Sequence, residues 1–217
     1  MKQLHIITPV KDSIESTLRT IDAVLDSEIN VPFTYTIYND FSTPENTALL
    51  ENKAQHLGFQ LVNLSDLTQH PSPNYLLVLQ RERELCLQED AALLIVESDV
   101  TVKPDTLQGL WDGAMERKDC GMAASVTVDE VGKVNYPYLF ARRMGKQVTS
   151  TRHHCSFCCT LLTNELLRRV DFGLLDSTKN WFDVTISHLS LESGLQNYLF
   201  PSLPVLHQPH GSRPWKQ

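Results

Sequence analysis

Nowhere in this 217-residue chain does an apolar run approach the ~20 residues that a membrane-crossing helix needs, so no spanning segment is expected. The opening Met1-Lys2-Gln3-Leu4-His5-Ile6-Ile7-Thr8-Pro9 turns polar too soon for a secretion signal. Cysteines number five, an odd count that gives no disulfide framework. A reducing, cytoplasmic site is therefore the default expectation, with peripheral contact with a membrane left open. Positive charge is in deficit as well. The formal net charge is -7, which argues against a general nucleic-acid binder. It leaves room for an anionic substrate, because a local cluster of Arg, His and metal can outweigh the global sign. Two phosphate-binding signatures are also missing: no Gly-x-Gly-x-x-Gly follows the first apolar run, and no Walker-type Gly-Lys-Ser/Thr loop occurs. A phosphate ligand would have to be neutralised another way, most simply by a cation held on carboxylates. No repeat, linker or low-complexity segment interrupts the chain, so a single domain over 1–217 is expected.

What is present is an ordinary globular composition, 41% hydrophobic and 21% charged. The length suits one α/β domain with a substantial core. Short apolar strands at 4–10, 33–38, 59–64 and 91–96 alternate with helical periodicity at 75–88 and 105–117, with a helix marked by Ala48, Leu49 and Leu57, and with a helix from about Ser13, read as its N-cap. Ser42-Thr43-Pro44-Glu45 marks a turn into the second helix, which stops near Gly58. Residues 65–74 read as a loop. The second half is less regular: a loop or hairpin at 129–150, a strand at 155–162, helices at 163–170 and 182–193, and a closing strand at 198–206. This alternation predicts a Rossmann-like α/β fold, a mostly parallel sheet flanked by helices and joined by right-handed crossovers.

Open parallel sheets bind ligands beyond the carboxyl ends of their strands. Thr8-Pro9-Val10, Asn39-Asp40 and Glu97-Ser98-Asp99 fall at such ends, so acidic groups gather at one edge. The acid-x-acid turn of Glu97-Ser98-Asp99 has the spacing for a hydrated Mg2+ or Mn2+, although solvated acids at a strand end would look the same. His153-His154-Cys155-Ser156-Phe157-Cys158-Cys159 contains Cys-x-x-Cys spacing. On a strand, however, Cys155, Phe157 and Cys159 would share one face with Cys158 opposite, and no second ligand pair lies at finger-like spacing, so core cysteines are the better reading.

Taken in order, these pieces resemble the family 2 glycosyltransferases of the GT-A fold, over nearly the whole chain. The resemblance is carried by Ile7-Thr8-Pro9-Val10-Lys11, by Tyr38-Asn39-Asp40-Phe41-Ser42-Thr43, by Arg81, by Glu97-Ser98-Asp99 at the family's Asp-x-Asp motif, and by Val102-x-Pro104-Asp105-x-Leu107. Cys158-Cys159-Thr160-Leu161-Leu162-Thr163-Asn164-Glu165-Leu166-Leu167 resembles the acceptor-side strand and helix. Phe182-Asp183-Val184-Thr185-Ile186-Ser187 stands at the Glu-Asp motif, with Gly194 at the expected distance. The resemblance implies an inverting transferase that moves a sugar from a UDP- or GDP-linked donor to a saccharide or lipid-linked acceptor hydroxyl, with Mn2+ or Mg2+ as cofactor. It divides the chain into a nucleotide-binding half (1–118) and an acceptor-side half (119–217). Thr8, Pro9, Asp40, Arg81, Glu97 and Ser98 would meet the nucleotide. Asp99 and His207 would hold the metal, His210 and Arg213 the diphosphate, and Asp183 would be the general base. Glu97 and Phe182 depart from the family pattern of Asp and Glu. Those departures keep a catalytically degenerate binding or scaffold protein as the alternative. A nucleotidyltransferase is disfavoured by the missing Gly-rich loop.

Overall fold

In the computed structural model, which describes residues 2–179 and 181–208, nine strands form one sheet packed on both faces by helices. β1 (Gln3–Val10), β2 (Phe33–Asn39), β3 (Gln60–Asn63) and β4 (Ala91–Val96) pair in parallel in the order β3-β2-β1-β4. Beyond β4 the sheet continues through β8 (Cys159–Leu162), β6 (Cys120–Val128), β9 (Gln196–His207) and the two-residue β5 (Val100–Thr101), with β7 (Thr149–Thr151) also on β9. β8, β5 and β7 run against the other six, so the sheet is mostly parallel, as expected.

The crossovers put α1 (Ile14–Leu25), α2 (Pro44–Leu57) and α4 (Thr106–Met115) on one face. There Ile21, Val24, Leu50, Leu107 and Leu110 pack on Ile6, Ile37 and Leu94. On the other face, α3 (Tyr75–Glu89), α5 (Asn164–Arg169) and α6 (Phe182–Glu192) bring Leu79, Leu166 and Ile186 onto Ile7, Leu93 and Met122. Every residue of β4 is buried, which explains its uninterrupted apolar run.

Helix punctuation follows local chemistry in part. The Thr43 side chain accepts from the Asn46 N–H, Pro44 opens α2, and Gly58 ends it in the left-handed region at φ 75°. Ser13 departs from its expected capping role. It lies at φ 49° and its side chain makes no capping bond; instead its carbonyl receives the Thr17 N–H and the Ser16 and Thr17 hydroxyls.

The larger differences are in the second half. β6, flanked by β8 and β9 within the sheet, occupies a stretch with no expected element. Its Gly121, Ala123, Ala124 and Ser125 lack the β-branched and aromatic side chains that announce a strand. β8 begins at Cys159 rather than 155. The N–H groups of Cys155 and Ser156 go to the Ser187 and Tyr138 hydroxyls, not to a neighbouring strand.

Candidate active site

The crevice lies where β1, β2 and β4 end, and its outer wall comes from β9 and α6. Glu97 continues β4 by donating its N–H to the Cys158 carbonyl, and its own carbonyl accepts from Val100 to turn the chain into β5. β5 then pairs antiparallel with the end of β9, Val100 opposite His207. That register carries His207 to Asp99 across 108 positions of sequence: the imidazole Nε2 stands 3.5 Å from Asp99 Oδ2. Nδ1 of the same ring is 2.8 Å from the Tyr136 carbonyl. A carbonyl only accepts, so Nδ1 carries a proton, which leaves Nε2 as the ring nitrogen that faces Asp99 and that would ligate a cation once it is unprotonated. Two cis ligands of one octahedral cation lie on the order of 3 Å apart. The donor set and spacing of Asp99 and His207 therefore fit a shared divalent ion. Burial alone would lower the His207 pKa; the Asp99 carboxylate, the Tyr136 carbonyl and Glu97 outweigh it and raise it.

Asp183, at the start of α6, faces the same space. Its Oδ1 accepts the Val184 N–H at 2.8 Å. Burial raises its pKa, while that hydrogen bond and nearby His154 and Ser156 oppose the rise. Glu97 feels burial first, then the negative charges of Asp99 and Asp183, and is pushed up to about 7. Cys158 Sγ lies 3.5 Å from its carboxylate. Three carboxylates thus crowd one crevice with His207 as the basic group against Asp99, an arrangement whose repulsion is relieved by a proton on Glu97 or by a bound cation.

Asp40 lies at the end of β2 and is already engaged. Its carboxylate accepts from the Ser72 hydroxyl at 2.7 Å and from the Asn74 N–H and side-chain amide at 2.9 and 2.8 Å, which ties the 65–74 loop to the crevice rim. Lys11 Nζ donates to the Phe41 carbonyl at 2.8 Å. Asp12 accepts from the Thr43 N–H and the Asn46 amide, and its N–H donates to Ser42. Asp12, Ser13 and Phe41 all take left-handed φ values of 49–58°, a strained conformation for residues with a Cβ, held here by that interlock.

The other expected nucleotide contacts divide. Pro9 and Ser98 are half-buried at the strand ends. Arg81 is exposed on α3, and its positive charge acts on the Tyr38 phenol. Thr8 is fully buried and its hydroxyl lies 3.0 Å from that of Tyr35, so its side chain serves the core and not a base pocket. His210 and Arg213 lie outside the described residues.

Several residues had no local signal. Tyr75 is stacked between Phe157 and Phe182, with ring centroids 6.1 and 6.4 Å away and planes within 9° and 8°. Phe182 is thus part of an aromatic wall joining α3, α6 and the turn before β8. Ser72, Asn74, Tyr136 and His154 act through positions that only long-range packing creates. The cysteines of the 155–159 run are all buried. Among the described residues, the potential metal ligands that do cluster are His5, Glu82 and Cys86, within 4.8 Å of one another. They sit on β1 and the body of α3, away from the strand ends. There Glu82 accepts from the Tyr38 phenol and lies 3.1 Å from His5 Nδ1, while His5 Nε2 lies 3.1 Å from Glu89. The polar atoms of His5 and Glu82 are satisfied by one another and by Tyr38 and Glu89, and a diphosphate in the crevice could not use them.

No protein-family model matches the chain, and no curated protein sequence matches it. Solved structures do. A mannosyltransferase, PcManGT from Pyrobaculum calidifontis in complex with GDP-Man and Mn2+, superposes with a TM-score of 0.66 at 14% identity, over 96% of this chain and 58% of that one. S. aureus TarS 1-349 gives 0.65 at 12% identity, over 95% and 60%. GalNAc-T7 with UDP, GalNAc and Mn2+ gives 0.67 at 11% identity, over 95% and 44%. The chain has the GT-A fold. It spans between 44% and 60% of the length of these three proteins. In GT-A terms, the convergence of Glu97, Asp99, Asp183 and His207 lies at the edge where the parallel strands end. No helix among the described residues is long and apolar enough to cross a membrane.

Proposed function

We propose that this protein transfers a sugar from a nucleoside diphosphate donor, UDP- or GDP-linked, to an acceptor hydroxyl with inversion, and that a divalent cation assists. The observation that carries the reading is the approach of Asp99 Oδ2 and His207 Nε2 to 3.5 Å, inside a crevice that also holds Glu97 and Asp183. Neighbours of the same fold are solved with GDP-Man or UDP and Mn2+, which supports the same ligand class here.

Asp99 and His207 would hold the ion, Mn2+ or Mg2+. When bound, it supplies positive charge that stabilises the leaving diphosphate. Asp183 takes the proton of the acceptor hydroxyl while that oxygen bonds to the anomeric carbon and the bond from that carbon to the diphosphate oxygen breaks. A single displacement of this kind needs one base and no protein nucleophile, and it inverts the anomeric centre. Burial makes Asp183 more basic than a free carboxylate, which suits it to the task. Glu97, on a longer arm than the family's Asp, would meet the ribose or the shell around the ion. Pro9, Asp40, Arg81 and Ser98 would line the nucleotide side, within a 1–118 donor half. Residues 119–217 would receive a saccharide or lipid-linked acceptor.

A panel of nucleoside diphosphates and their sugars, with and without Mn2+, tests this by melting temperature and by release of nucleoside diphosphate. At ligand concentrations about 100 times Kd, a ligand that binds only the folded chain adds about 2.7 kcal/mol, worth roughly 5–11 °C for a chain of this size. Asp99→Ala and His207→Ala should each remove the Mn2+-dependent part of that rise. A metal-dependent shift without turnover would favour a binding or scaffold role, and no shift with any nucleotide would end the proposal.

A further inference from the structure

Charge is unevenly distributed along this acidic chain. Residues 131–164 contain five Lys and Arg (Lys133, Arg142, Arg143, Lys146 and Arg152) and no Asp or Glu, although the chain carries 26 acids. All five cations are exposed, and none has an ion-pair partner among the described residues. Large apolar side chains stand exposed among them: Val131 at 87%, Tyr136 at 66%, Leu139 at 45% and Phe140 at 37%.

Local packing ties parts of this exposed segment together. The Phe140 ring lies 4.3 Å from that of His153, which joins the short 3-10 turn Leu139–Arg143 to the segment following β7. Arg142 Nε donates to the Val134 carbonyl at 3.1 Å. The acids at the boundary are turned to other uses: Asp129 Oδ1 accepts the Val131 and Lys133 N–H groups, and Glu130 accepts from Gln208. We propose that this face docks the protein onto an anionic phospholipid bilayer, its exposed Lys and Arg meeting the headgroups and Leu139, Phe140 and Tyr136 entering the acyl boundary.

Unpaired cations beside exposed aliphatic and aromatic side chains are what an interfacial anchor requires, and each cation near such a surface adds to the attraction. A nucleic acid would use the cations but gives Val131 and Leu139 nothing to pack against. The face also borders the crevice. The Tyr136 carbonyl receives His207 Nδ1, and His154, whose ring is 6.3 Å from that of Phe140, acts on Asp183. If the transfer proposed above holds, a bilayer seated here brings a lipid-borne hydroxyl to the Asp183 side; the docking itself rests on charge and exposure alone.

The test is co-sedimentation of the full chain with large vesicles of phosphatidylcholine, alone or with about one-third phosphatidylglycerol, at low and high salt. The expected result is binding to the anionic vesicles only, weakened by salt. Arg143→Glu/Lys146→Glu should lower the partition coefficient at least about 25-fold, since losing each of the two cations near the surface costs about fivefold and the reversed charges add repulsion to that. Neither side chain makes a hydrogen bond or ion pair within the described residues, so the fold should survive, and circular dichroism checks that it does. Leu139→Ser should weaken binding further. Lys2→Glu, an exposed change just before β1, should not affect it. Equal binding to neutral vesicles, or variants that bind like the wild type, would overturn the proposal. So would uptake of a single-stranded oligonucleotide in place of the vesicles, with the same sensitivity to the reversals. Vesicle binding needs neither donor nor turnover, so its failure and a failure of the transferase reading are read from separate experiments.

Discussion

Replacing His5 with Ala should cost this protein a large fraction of its stability, and the cost should depend on pH in a direction the structure sets. The His5 side chain is 7% exposed and spans from β1 to α3, with Nδ1 3.1 Å from Glu82 and Nε2 3.1 Å from Glu89. Glu82 is 3% exposed and its other oxygen is bonded to the Tyr38 phenol. Truncating His5 leaves that carboxylate buried with one partner. Breaking a buried pair from one side costs about 3–5 kcal/mol. Glu89 is nearly half exposed and adds little. For a chain of this length the loss corresponds to a fall in Tm of roughly 6–20 °C. Burial pulls the His5 pKa down, but the hydrogen bonds and charges of Glu82 and Glu89 win and raise it above 6.5. A histidine raised in the folded state contributes fully below its unfolded value, near 6.5, and loses that contribution as pH climbs through the folded value. Tyr38 and Cys86, the other titratable groups packed here, are pushed up by burial and stay neutral across that range. Melting curves at pH 6, 7.5 and 9 should therefore show the gap between wild type and His5→Ala narrowing as pH rises. A gap that stays constant or widens would mean the ring is neutral and the imidazolium argument is wrong.

Three further outcomes are expected at the crevice. Asp183→Asn should lower kcat by about 10²–10⁴-fold while donor binding, read by calorimetry, stays unchanged. Full activity in that variant would remove Asp183 as the base. Asp40→Ala releases three hydrogen bonds that hold the 65–74 loop, at about 2–4 kcal/mol. The rise in donor KM should exceed the change in kcat, and an unchanged KM would show that the loop does not touch the nucleotide. Phe182→Glu places a charge at a 6% exposed position in the aromatic stack. It should lower Tm more than Phe182→Ala does and should not raise turnover; a gain in activity would show that the stack is dispensable.

Much of the donor side could be read locally. β1, β2 and β4 announce themselves by buried apolar runs, and a parallel sheet puts whatever follows such runs at one edge. Asp40 and the Glu97–Asp99 turn were therefore identifiable from position alone. β6 was not, because Gly, Ala and Ser fill its centre and its pairing with β8 and β9, not its own propensity, makes it a strand. The turn before β8 was misjudged for a related reason: the Ser187 and Tyr138 hydroxyls take the N–H groups that a strand would have used. Ser13 had the chemistry of a cap, yet the interlock of Asp12 with Ser42 and Thr43 imposes a backbone in which capping is not possible.

By itself, the sequence determined the alternation of strand and helix, the acidic character of the strand ends, and the absence of any glycine cradle for phosphate, because each depends on neighbours a few residues apart. Only the tertiary structure decided that His207 meets Asp99, that Thr8 turns into the core, that Phe182 completes a stack, and that His5 clamps α3 to the sheet. Those contacts join segments tens of residues or more apart through strand register and side-chain packing. One residue of slippage in the β5–β9 pairing would turn His207 to the other face, and nothing in the local pattern of either segment encodes that choice.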